Sequence, residues 1–249
     1  MTFQSAPYHI IELDEIDSTS RFLKAQLQAG KLQGYNLCIT HSQTMGYGQR
    51  GREWIHSGQS LAFSLSVPFD LAIHSFTYLS SSIALLLRKS LSNNSSATLQ
   101  VKWPNDIFVS KGKVAGSLLE MTKDKNSKDA YLVIGVGINL SEITDKKNPF
   151  KSSWLSDLNR DAFLTEFCSA IYSLFSQKKD SLVFNRDEWL KYDFFSPNQS
   201  VIVYHSGHSK VGLYKGLTCS AEVQVEIDGL IECYQSGAVS IRPITSELT

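Results

Sequence analysis

Four strand-like runs crowd into 99–103, 107–109, 114–121 and 131–136, with only a few residues between the first three. A parallel neighbour needs a crossover of a dozen or more residues, whereas an antiparallel one needs only a tight turn. A sheet built from these runs is therefore largely antiparallel. Earlier runs at 8–13, 35–40 and 61–67 are separated by a helix and a glycine-rich loop, which makes the whole sheet mixed. The side-chain oxygens of Asp17, Ser18 and Thr19 suit the start of a helix whose apolar face holds Phe22, Leu23 and Leu27, and Gly30 stops it. Leu79, Ile83, Leu86 and Leu87 set a helix over 75–91, Phe163, Phe167, Ile171 and Leu174 mark another, and 187–192 a short one. After Pro197 only short β-rich runs follow, at 201–204, 212–217, 221–227 and 230–234. The pattern predicts an α+β fold: a mixed, largely antiparallel sheet flanked by helices over 1–196, and a small C-terminal β-barrel over 197–249. No long linker separates them, so they should pack closely.

With 42% hydrophobic residues the chain can bury a good core, and its 24 basic and 24 acidic side chains cancel with no block of like charge. Nothing in that balance favours wholesale attraction to nucleic acid or a membrane surface. Cys38, Cys168, Cys219 and Cys233 form neither a C-x-x-C nor a zinc spacing, so a disulfide framework or a structural metal is not expected. The first residues lack a signal sequence and no apolar run approaches membrane-spanning length, which predicts a cytoplasmic protein. The histidines, His41, His56 and His74 among them, read as surface or structural.

Four short segments combine chemistry with special backbone demands. In Gly46-Tyr47-Gly48-Gln49-Arg50-Gly51-Arg52-Glu53-Trp54, glycines let the backbone approach a ligand while arginines supply positive charge, a design suited to phosphate. An ordinary solvated loop has the same composition. In Lys102-Trp103-Pro104-Asn105-Asp106, an exposed stiff turn would display Lys102 and Asp106; the plainer reading is a buried Trp beside two solvated charges. Lys113-Val114-Ala115-Gly116 opens a strand whose small residues leave room for a flat ligand or another backbone, although lysines are common at strand ends. Gly135-Val136-Gly137-Ile138-Asn139 permits close ligand approach and one amide hydrogen bond; buried glycines with a turn asparagine are the alternative.

The order and spacing of these segments resemble the catalytic module of biotin protein ligases, a class II synthetase-like fold. The 15–20 segment resembles the family's D-S-T opening, Gln43 with the 46–54 loop its biotinyl-adenylate loop, 102–106 its K-W-P-N-D, 113–116 its K-[LV]-A-G, and 135–139 its G-x-G-I-N. Residues 236–242 resemble its closing segment in an SH3-like domain, with Ala238 at a usually acidic position. The resemblance starts at Tyr8 with no winged-helix domain, so DNA is not an expected partner; a homodimer is open.

The resemblance implies an ATP-dependent ligase that forms biotinyl-5′-AMP and transfers biotin to a lysine of a biotin carboxyl carrier domain, with ATP and biotin as substrates and Mg²⁺ as cofactor. It assigns biotin contacts to Ser18, Thr19, Gln43, Gly46, Tyr47, Gly48, Lys113 and Gly116. Nucleotide contacts fall to Gln49, Arg50, Arg52, Trp54, Lys102, Asn105 and Asn139, catalysis to Lys113, Asp106, Arg50 and Arg52, and no residue to a bound metal. Tyr47 and Gln49 depart from the family, where arginines often stand; Tyr47 is expected to cover the ligand with its ring and Gln49 to donate a hydrogen bond, the glycine-rich loop to be disordered without ligand and ordered with it, and retention of the adenylate to depend on Arg50 and Arg52 more than on position 49. The rivals are a lipoate or octanoyl ligase on the same fold, and a non-catalytic biotin or adenylate sensor.

Overall fold

A computed structural model describes residues 7–54, 60–70, 76–110, 112–127, 129–142, 152–176 and 184–244. Its larger sheet has seven strands: β1 (His9–Ile16), β2 (Asn36–Gln43), β3 (Leu61–Pro68), β4 (Leu99–Lys102), β5 (Asp106–Val109), β6 (Gly112–Lys123) and β7 (Ala130–Ile138), in the order β1-β2-β3-β7-β6-β5-β4. Only β1 and β2 run parallel, joined through α1 (Thr19–Gln28); every other neighbouring pair is antiparallel. The predicted largely antiparallel sheet is the observed one. Several of its strands are longer than the sequence pattern suggested, β1 reaching Ile16 and β6 Lys123, because partner strands extend pairing past the apolar runs, while β4 stops one residue short of the predicted 99–103. His56, His74 and Ser75 lie outside the described residues.

The two faces of the sheet are covered by different helices, and period-2 alternation assigns residues to each. On β7, Leu132, Ile134, Val136 and Ile138 join the main core, which also takes in α2 (Phe76–Asn93) through Leu79 and Ile83 and α3 (Arg160–Ser176) through Phe163 and Phe167. Tyr131 and Val133 face the opposite way, against Leu23 and Leu27 of α1 and Cys38 of β2. The next residues on this second face are Gly135 and Gly137. Beyond the α1 N-terminus no helix covers these glycines, and a cleft opens there whose lining includes Trp54.

The second sheet contains β8 (Ser200–His205), β9 (His208–Leu217), β10 (Val223–Ile227), β11 (Leu230–Tyr234) and β12 (Ser240–Pro243), all antiparallel in the order β11-β10-β9-β8-β12. Its inner residues Val201, Tyr214, Val223 and Ile241 share one continuous core with Trp103, Phe195 and Trp189, the last from α4 (Arg186–Lys191). Polar ties reinforce the junction: Trp103 Nε1 donates to the Ala221 carbonyl at 2.8 Å, Arg186 Nε to Leu217 O at 2.5 Å, and Tyr214 Oη to Asp193 at 2.5 Å.

Candidate active site

The register of the sheet lines up motifs that are far apart in sequence. Ala62 pairs with Gly137, Gly137 with Gly116, Gly116 with Asp106 and Asp106 with Lys102, so one row across five strands runs from small residues to two charged ones. Direct cross-strand partners share a face. From Gly137 to Lys102 this row forms the floor of a cleft of about 370 Å³.

Lys113 belongs to this floor because of an irregularity. Between β5 and β6 the pairing steps from Ile107–Ala115 to Phe108–Lys113, leaving Val114 as an extra residue. Such a bulge re-aims the side chains beyond it. Lys113 then shares a face with Gly116, and its Nζ lies 2.5 Å from Asp106 Oδ1. A β-carbon on Gly116 would stand 3.0 Å from Lys113 Nζ and 3.1 Å from Asp106 Oδ1. The room left by Gly116 is thus filled by this ion pair, not left open for a flat ligand.

The same correction applies to Gly135 and Gly137. A β-carbon at Gly135 would meet Ser20 Oγ at 2.5 Å, and one at Gly137 the Trp54 ring at 2.4 Å. These glycines seat two side chains of the protein itself. Lys113 Nζ lies 5.4 Å from the Trp54 ring centroid, which brings the indole over the ion pair.

One end of the cleft is a polar alcove at the start of α1. Ser18 caps the helix, Thr19 N donates to Gln43 Oε1 at 2.9 Å, and Thr19 Oγ1 lies 2.8 Å from Ser64 Oγ. Ser20 Oγ lies 2.8 Å from the same Ser64 oxygen. Ser20 and Ser64 were not singled out from the sequence. The signal was present in Leu61-Ala62-Phe63-Ser64-Leu65-Ser66-Val67, where serines recur at period 2 within a buried strand, a pattern that places hydroxyls on a single face.

The K-W-P-N-D turn is buried, not displayed. Trp103 is held by the second sheet, the Trp103–Pro104 peptide is cis, and Asn105 Nδ2 donates to Ser117 O. Lys102 is only 4% exposed, with Phe108 and Phe195 around its ammonium. Burial pushes the Lys102 ammonium down to about 8 against the opposing pull of Asp106, and Lys113, Arg242 and Arg52 lower it further.

The glycine–arginine loop closes over the cleft as a small hairpin, with a bridge between Tyr47 and Glu53 and bonds Gly48 N to Arg52 O at 2.7 Å and Trp54 N to Gly46 O at 3.0 Å. Arg50 sits in the left-handed region at φ 60°, and its Nη2 donates to Gly237 O of the second sheet at 3.0 Å. Tyr47 lines the cleft, and its hydroxyl donates to Glu120 Oε2 at 2.5 Å. Asn139 turns inward, its Nδ2 donating to Lys113 O and Ser153 O at 3.1 Å each, while its buried Oδ1 has no partner among the described residues.

Ser18, Thr19, Gln43, Tyr47, Gly48, Gln49, Arg50, Arg52, Trp54, Lys102, Asn105, Asp106, Lys113, Gly116 and Asn139 thus line one cleft. Gly46 does not; it lies behind the wall, where a β-carbon would meet Trp54 O at 2.9 Å. Val239, Ser240 and Ile241 of the second sheet complete the lining and were foreshadowed only by the closing-segment resemblance.

Fold and cleft together define a ligase of the biotin- and lipoate-handling class. Residues 13–139, half of the chain, match the Biotin/lipoate A/B protein ligase family, and the chain belongs to that family. Among its relatives, the bifunctional ligase/repressor BirA of Escherichia coli K12 is 29% identical over 240 residues, covering 92% of this chain and 73% of that protein. The biotin–[acetyl-CoA-carboxylase] ligase of Paracoccus denitrificans is 33% identical over 135 residues, covering 53% of this chain and 55% of that one. The fold matches the biotin protein ligase of Aquifex aeolicus in complex with biotin and ATP at a TM-score of 0.79 and 22% identity, over 95% of this chain and 99% of the other.

Proposed function

We propose that the chain is an ATP-dependent biotin protein ligase, which activates biotin as biotinyl-5′-AMP and passes it to a lysine of a carboxylase's biotin carrier domain. The observation that carries the reading is the Lys113–Asp106 ion pair at the centre of a cleft with a hydroxyl-lined alcove at one end and Lys102, Arg50 and Arg52 among its lining. The alcove favours biotin over lipoate: Thr19, Ser20, Ser64 and Gln43, already tied to one another, keep further donor and acceptor capacity that suits a flat polar ureido head and that a purely apolar acyl tail would not use.

In the first step a biotin carboxylate oxygen bonds to the α-phosphorus of ATP and the bond to pyrophosphate breaks. Both reactants are anions, and Lys113 neutralises the oxygens at which they meet, with Arg52 and Lys102 offsetting triphosphate charge. Asp106 is then released from Lys113. In the second step the neutral carrier amine attacks the acyl carbon and AMP leaves with the bonding electrons. Deprotonating a lysine at pH 7 costs about 4 to 5 kcal/mol, and the freed Asp106 carboxylate is placed to orient that amine and take up its proton.

Mg²⁺ enters this reading on the triphosphate. Among the described residues no three His, Cys, Asp or Glu side chains gather as a cage. Glu53 and Asp106 are the carboxylates of the cleft, a donor set that fits an ion held mainly by phosphate oxygens and water. The ion would offset the charge of the departing pyrophosphate. We read residues 197–249 as a second unit, whose Val239, Ser240 and Ile241 line the cleft. Free Cys38, Cys168, Cys219 and Cys233 support a reducing, cytoplasmic setting, and among the described residues no helix is long and apolar enough to cross a membrane. The test is to incubate the pure protein with ATP, Mg²⁺, biotin and a biotin carboxyl carrier domain and weigh the carrier; an unchanged mass rejects the proposal.

A further inference from the structure

The loop over the cleft is tied down on its outer side by groups to which neither the chemistry nor the sequence pattern gave a role. Tyr47 Oη donates to Glu120 Oε2 at 2.5 Å, and Lys24 Nζ lies 2.5 Å from Glu120 Oε1, so the one carboxylate holds both the loop and α1. Arg21 on α1 places its guanidinium 4.6 Å from the Tyr47 ring centroid and donates from Nη1 to Met45 O at 3.1 Å. Lys24 Nζ stands 5.5 Å from the same ring. Hydrogen bonding to Glu120 raises the Lys24 ammonium against the lowering effect of its own burial, the largest single influence. Three elements meet here: the loop, α1 and β6.

We propose that Glu120 is a positioning residue that anchors the cleft loop through Tyr47, with Lys24 holding the carboxylate in place. A phenol donating to a carboxylate that is itself paired with an ammonium is a charge-assisted bond, stronger than an ordinary neutral contact. Glu120 lies seven residues beyond Lys113 on the same strand, so β6 carries at one end the lysine at the ion pair and at the other the anchor of the loop that covers it. Against the expectation of a loop ordered only by its ligand, this anchor would hold the loop over the cleft in the ligand-free protein. Its consequence for catalysis rests on the biotin ligase reading; the anchor itself does not.

The experiment measures amide hydrogen exchange in the whole protein without ligand. Gly48, Arg52 and Trp54 are the reporters, because their N–H groups close the loop hairpin. Tyr47→Phe and Glu120→Gln should each speed their exchange about tenfold or more, as expected for loss of a charge-assisted bond. Amides of the β3–β7 pairing should keep their wild-type rates. The double variant should be no faster than the faster single variant, since both changes remove one contact. Unchanged loop exchange in either single variant, or effects that multiply in the double, would overturn the anchor. In parallel, release of biotinyl-5′-AMP from both variants should quicken by a similar factor. A wild-type protein that makes no adenylate would reject the ligase reading and leave the exchange result to decide the anchor by itself.

Discussion

Lys113, Asp106 and Lys102 share one small volume, and each has a different cost and use. Lys113→Ala removes the cation between two anions, while its position on the cleft floor contributes little to the core. Biotin-dependent exchange of pyrophosphate into ATP should fall at least about 10²-fold in a protein that still folds; near-normal exchange would refute the role. Asp106→Asn should slow mainly the transfer to the carrier, and single-turnover measurement of the two half-reactions separates these. Lys102 is the costly residue. Its folded value of about 8 lies below its ordinary 10.5, so the folded state gives up its proton first and stability rises with pH across that interval. Below about pH 8 the buried ammonium is charged and stability is at its lowest. Lys102→Met should therefore raise stability at pH 7 by roughly 1–3 kcal/mol in urea unfolding, with a gain that shrinks above pH 8, while ATP affinity falls. The residue types of this cluster were legible in the sequence, since lysine and aspartate in short motifs suggest charge chemistry. Their pairing was not, because it depends on the bulge at Val114, which leaves no mark in a run reading Gly112-Lys113-Val114-Ala115-Gly116.

At the scale of elements, strands and helices were readable because apolar periodicity is local, whereas register is not. The row Ala62, Gly137, Gly116, Asp106, Lys102 joins β3, β7, β6, β5 and β4, and nothing within any one strand announces which partner its glycine will face. The glycines of β7 were read as sites of close approach, and in the structure the side chains of Ser20 and Trp54 make that approach. Gly137 tests this directly. A methyl there collides with Trp54 Cε2 at 2.4 Å, so Gly137→Ala must expel the indole from its seat while β7 remains paired on both sides. The expected outcome is a shift in tryptophan fluorescence that is absent in a Trp54→Phe background, and a rise of about tenfold in the KM for ATP with little change in unfolding midpoint. An unshifted spectrum would place Trp54 elsewhere. The K-W-P-N-D turn illustrates the same limit from the other side: a buried Trp103 was the plainer reading of its sequence, but the burial of Lys102 beside it was not legible, because the cover comes from a region 118 residues away.

The whole molecule depends on how the second sheet is fastened to the first, and Asp193 sits at that junction. Its backbone bridges Val101 of β4, its Oδ1 accepts from Phe195 N at 3.1 Å, and its Oδ2 accepts from Tyr214 Oη of β9. Burial raises the carboxyl from 3.8 to about 6, with the bonds from Tyr214 and the Phe195 and Phe194 backbone pulling the other way. A folded value above the unfolded one means that the native state binds this proton more tightly. The stabilisation it brings is complete below about pH 4 and is lost as the pH rises through about 6; above that the buried carboxylate persists as a charge held mainly by Tyr214. Asp193→Asn carries the shape of the protonated acid at every pH. Relative to this variant, wild-type stability should decline by roughly 2–3 kcal/mol between pH 4 and pH 7 and then level off, as followed by urea unfolding at each pH. Tyr214→Phe should steepen that decline, costing little at pH 4 and much more at pH 7, where it leaves the charge without its phenol. Since Val239, Ser240 and Ile241 reach the cleft only while this junction holds, ATP affinity in Tyr214→Phe should weaken together with stability as the pH rises. A Tyr214→Phe protein equally destabilised at both pH values would show that the junction rests on packing alone and that Asp193 does not report on it.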